Sequence, residues 1–97
     1  MRTMMTITIP VAAGNAAITS GKIGPILERA FEQLKPEAAY FSTGHGSRQA
    51  MFVFDLADTT DIPSIAEPFF LELEADIKLC PVMNAEDLKA GLAKMAG

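Results

Sequence analysis

The segment Arg48 to Leu56, RQAMFVFDL, reads as a strand that carries large apolar side chains on both faces. Side chains alternate across a β-strand. Ala50, Phe52, Phe54 and Leu56 therefore point to one face and Met51 and Val53 to the other. A chain of 97 residues is one domain, 1–97, and has enough sequence to cover one face of a sheet with helices. The second face needs another cover, and the simplest is a second copy of the same protein. Hydrophobic residues make up 49% of the chain, although a domain this small removes only about 60–68% of its unfolded surface from water. Both observations point to a homodimer.

The pattern elsewhere supplies the remaining elements. Thr3 to Ile9 alternates as a strand that Pro10 ends. Val11 to Gly24 holds three glycines and no long apolar period, and reads as a loop with one helical turn. Around Gly24-Pro25, the residues Ile23, Ile26, Leu27, Ala30, Phe31 and Leu34 form one helical stripe, which Lys35-Pro36 closes. Ala38 to Thr43 is the second strand, and Gly44-His45-Gly46 turns it back into the third. Asp61 is the expected N-cap of a second main helix, with Pro63 in its first turn; Pro68 is expected to kink or divide that helix. Asp76 to Val82 is the fourth strand, assigned to an edge because of Pro81. Asn84 caps a last helix with Glu86 and Asp87 in its first turn and Lys94 in its last.

The order β-α-β-β-α-β plus a C-terminal helix predicts an α+β, ferredoxin-like fold. Right-handed crossovers would put both main helices on one face of a four-stranded antiparallel sheet. Met5, Ile7, Ile9, Ala39, Phe41, Phe52, Phe54, Ile77 and Leu79 would face the helices. Met4, Thr6, Thr8, Tyr40, Ser42, Met51, Val53, Cys80 and Val82 would form the open face. A two-fold interface is expected there, centred on Met51 and Val53, with Thr6 and Tyr40 nearby.

A split βαβ chain of this size with a half-apolar open sheet face resembles the dimeric α+β-barrel superfamily. Ile9-Pro10-Val11-Ala12-Ala13-Gly14-Asn15, Lys35-Pro36-Glu37-Ala38-Ala39-Tyr40-Phe41 and Ile65-Ala66-Glu67-Pro68-Phe69-Phe70 resemble phrases in its small bacterial members with no assigned function. The resemblance implies two sheets stacked face to face with helices outside. Relatives in that superfamily include cofactor-independent monooxygenases, haem-degrading enzymes and amino-acid-sensing domains. No catalytic motif selects among them here.

Composition excludes several function classes. The eight basic residues are scattered and the net charge is −4, whereas a phosphate backbone calls for clustered positive charge. Nucleic acid is not an expected partner. One cysteine, Cys80, and one histidine, His45, exclude a disulfide framework and a multi-histidine or cysteine-rich metal site. No apolar run approaches the ~20 residues of a membrane span, and the alternating start is not a signal peptide. A cytoplasmic protein with no membrane partner and no cofactor is expected. The run Gly14 to Lys22 follows a strand as a P-loop does, but its glycine spacing is two residues too long and Ile23 stands where Ser or Thr would hold magnesium.

Four residues are candidates for ligand contact. His45 reads as a surface residue of a hairpin, or alternatively as a general base or haem ligand. Arg48 reads as a solvated strand start, or as an anion-binding fork. Tyr40 offers a hydroxyl on the open face, to a ligand or across an interface. Glu67 lies beside Pro68, as a solvated helix acid or at the rim of a pocket. The leading functional expectation is a homodimer that binds a small organic molecule between helices and sheet. The alternatives are an enzyme like the monooxygenases or haem degraders, and a pure assembly module.

Overall fold

The computed structural model describes residues 1–97. Four strands form one antiparallel sheet: β1 (Arg2–Ile9), β2 (Ala38–Gly44), β3 (Ser47–Asp55) and β4 (Asp76–Pro81). Their spatial order is β2-β3-β1-β4, the ferredoxin-like order, within the α+β class. β4 occupies an edge, where Pro81 withholds no needed ladder donor. Four α-helices accompany the sheet: α1 (Val11–Thr19), α2 (Ile23–Leu34), α3 (Ile62–Leu73) and α4 (Ala85–Ala96). No helix is long and apolar enough to cross a membrane.

Residue pairing assigns the two faces. Across the sheet, Ala39, Phe52, Met5 and Leu79 lie in one row and Phe41, Ala50, Ile7 and Ile77 in the next. These rows face the helices. Met5, Ile7, Ala50 and Phe52 are buried there with Ile26, Ala30 and Leu34 of α2 and Ile65, Phe69 and Leu73 of α3. Phe52 meets the rings of Phe31 and Phe41 edge-on, with centroids 5.4 Å and 6.0 Å away, the geometry favoured by aromatic quadrupoles.

Three details differ from the sequence reading. Val11–Thr19, expected as a loop, is α1. Four alanines make it a good helix former, but it buries only Gly14 and Ala17. Two such small residues leave no stripe for periodicity to detect. The N-cap role expected of Asp61 belongs to Asp58, whose carboxylate accepts from the Thr60 N–H at 2.9 Å and opens a short 3-10 turn, Thr59–Asp61, ahead of α3. Asp61 makes no side-chain cap bond. Of the two outcomes expected at Pro68, division does not occur: α3 runs unbroken to Leu73.

Candidate functional site

The turn joining β2 to β3 fixes where Arg48 begins. His45 and Gly46 both have positive φ, 54° and 75°, as a two-residue I′ hairpin turn demands. His45 therefore sits exposed at the tip. Three residues on, Arg48 faces the helices, in register with Ile9 on one side and Thr43 on the other. Its guanidinium lies across the first turns of α1. Nη2 donates to Oδ1 of Asn15 at 3.0 Å, and Nη1 approaches the Val11 carbonyl at 3.5 Å. Gly14 makes this possible: a Cβ there would stand 2.5 Å from Nη1.

Beside Arg48 lies a crevice between α2 and the sheet, about 190 Å³ in volume. Its walls are Ile9, Ile23, Leu27, Phe41 and Ala50, with Arg48 as the charged member. The chain has three arginines. Arg29 pairs with Glu72 at 2.9 Å, and Arg2 pairs with Glu37 and Asp87. Arg48 alone among them has only neutral acceptors. The crevice thus combines an apolar wall with a cation that no carboxylate of the chain neutralises.

The other expected contact residues do not converge on it. Tyr40 lies on the opposite, open face of the sheet and is 66% exposed. Glu67 is exposed on α3 and His45 on the hairpin tip. The expected interface residues do share a surface. Tyr40, Met51 and Thr6 form one cross-strand row continued by Lys78, and Val53 lies in the adjoining row with Met4 and Cys80. No helix in the chain covers them; Met4, Thr6, Met51 and Val53 are half-buried by neighbours within the sheet.

Sequence reasoning missed Gly14, Asn15 and the hydrophobic lining of the crevice. The only signal for the former was a glycine in an alanine-rich run with an arginine elsewhere to fill its space. No three His, Cys, Asp or Glu side chains gather as a metal site. Two groups titrate away from their ordinary values. Glu37, through a hydrogen bond and its charge, raises Arg2, with Asp87 adding to it. The Thr60 N–H, followed by its hydroxyl, holds the Asp58 carboxyl low. Neither adjoins the crevice. Comparison with protein-family models, curated proteins and solved structures finds no match for this chain.

Proposed function

We propose that the chain binds a small organic anion, an amphiphile with one carboxylate and a short apolar body, in the crevice between α2 and the sheet. The observation that carries this reading is the unneutralised Arg48 guanidinium beside the walls of Ile23, Leu27 and Phe41. A planar fork pairs with a carboxylate through two parallel bonds, and its anchorage on Asn15 orients it before any ligand arrives. At about 190 Å³ the crevice falls below the ~300 Å³ of the smallest typical drug-sized sites. That size suits a small metabolite.

The same reading makes the protein a two-fold homodimer of the dimeric α+β-barrel kind, with open sheet faces stacked. Its support is the surface formed by Met4, Met51, Val53 and Cys80, which no helix of the chain covers. Sheets pack ~10 Å apart and interdigitate side chains of this size. We take its compartment to be the cytoplasm, where a lone thiol is stable.

Thermal-shift measurements with phenylacetate, hexanoate and benzoate, each beside its neutral amide, test the ligand class. A ligand at 100 times its Kd stabilises the folded state by about 2.7 kcal/mol. The expected result is stabilisation by at least one carboxylate, none by its amide, and none in Arg48→Gln. Equal responses to acid and amide, or an unchanged response in Arg48→Gln, would overturn the assignment.

A further inference from the structure

Helix α4 buries none of its residues, yet it is amphipathic. Leu88, Leu92 and Met95 recur at the i, i+4, i+7 spacing of one helical face and are 48%, 55% and 83% exposed. Met83, just before the helix, is exposed as well. Pro81, Val82, Met83 and Leu88 border a concavity where the helix leaves the sheet. An isolated helix of 12 residues is marginal in water, and this one has the length of 12.

Its start, by contrast, is firmly set. The Asn84 side chain accepts from the Asp87 N–H at 2.8 Å, and the Asp87 carboxylate accepts from the Asn84 N–H at 3.1 Å. Such a capping box satisfies two helix-end donors. The Arg2 guanidinium then bridges Asp87 to Glu37. The helix is held at its root and leaves the domain with its apolar stripe bare.

Dimensions agree with a projecting element. The radius of gyration is 15.4 Å and the longest extent 55 Å, against ~12.5 Å for the radius of a compact chain of this length. The accessible surface is 6317 Å², where a compact monomer of this mass exposes about 5,400 Å². The excess of roughly 900 Å² matches one partner's share, about 800 Å², of a standard stable interface.

We propose that α4 is a docking arm whose Leu88–Leu92–Met95 face packs on a second copy of this chain, each copy lending its arm to the other. A second copy fits better than an unrelated protein because the chain itself presents the matching need. Its open sheet face is half-apolar and no helix of the chain covers it, and the root of the arm stands at the Arg2 corner of β1, whose side chains alternate onto that face. Two-fold symmetry lets both uncovered surfaces be used twice over. This inference rests on the homodimer reading above and adds the element that clasps it.

Sedimentation equilibrium of the full chain, of Leu88→Asp/Leu92→Asp and of Val53→Asp separates the possibilities. Both leucines are exposed, so the double variant keeps the domain's thermal transition. A dimeric wild type and a double variant with at least a hundredfold weaker self-association, losing helical circular dichroism, is the expected result. A double variant that dimerises as tightly as wild type overturns the arm while leaving a homodimer that Val53→Asp dissociates. A monomeric wild type overturns both. A benzoylphenylalanine placed at position 92 in mixed light and heavy isotopic protein gives the second readout. Photocrosslinks joining light to heavy chains are expected, and crosslinks confined to one chain would show the arm folding back and sink the proposal.

Discussion

The Arg48 guanidinium rests on the backbone of α1 where Gly14 leaves room for it, and a hydrogen bond of 3.0 Å to Asn15 holds it there. A charged group is thereby placed beside an apolar crevice without a carboxylate to neutralise it. The arrangement gives Gly14 a testable role. In Gly14→Ala the new methyl collides with the far end of a flexible side chain, not with backbone. Alanine also favours the helix by up to about 1 kcal/mol over glycine. Global stability in urea should therefore change by less than ~1 kcal/mol, while carboxylate-induced stabilisation falls at least tenfold in apparent affinity. Unfolding midpoints with and without ligand check both halves, and unaltered ligand affinity would separate Gly14 from the site.

Phe52 is wholly buried and touches two other rings edge-on. Phe52→Ala leaves a cavity that Phe31 and Phe41, both partly exposed, refill incompletely. A loss of about 3–5 kcal/mol is expected, a large part of the 5–15 kcal/mol that domains possess. Urea denaturation measures it. A loss under ~1 kcal/mol would mean that the aromatic cluster collapses freely.

Val53 lies in the open-face row Ala38, Val53, Met4 and Cys80. In the proposed dimer Val53→Asp would put a carboxylate between the two sheets, where an unpaired charge is costly. Light scattering after gel filtration should find a dimer for wild type and a monomer or aggregate for the variant. A variant that remains a stable dimer removes this face from the interface.

Asp58 carries a pH dependence of known sign. The Thr60 N–H first, and its hydroxyl second, hold the folded carboxyl below its ordinary value, which is about 3.9 in an unfolded chain. The contribution is therefore complete above the unfolded value and fades as pH falls through the folded one. Asp58→Ala should show a shallower decline of stability than wild type between pH 5 and about pH 3. Parallel curves from urea unfolding at each pH would contradict it.

The alternation in β1 and β3 was enough to assign every inward and outward side chain, because period-2 patterns leave no second solution once a core face is chosen. Proline and asparagine marked the edge strand and the last cap for equally local reasons. α1 was illegible because Gly14 and Ala17 bury too little to write a stripe. The Asp58 cap was hidden by a 3-10 turn placed between cap and helix. The crevice was beyond local reading altogether. It joins Ile9, Ile23, Phe41 and Arg48 from four separate elements, and nothing in any one segment announces that the other three will meet it. Of the four expected contact residues, Arg48 is the one that borders it.

The sheet order β2-β3-β1-β4 has a consequence for dissection. β1 and β2, the first two strands along the chain, are not neighbours: β3 lies between them. A fragment ending before Ser47 would contain two strands and no ladder to join them. With β3 added, the pairings of β1 with β3 and of β2 with β3 become available together. The smallest fragment starting from Met1 that is able to hold a sheet is therefore not the first βαβ half but everything through Asp55. Expression of nested fragments should show protease resistance rising abruptly between those two end points, and not in the even steps that a modular chain would give.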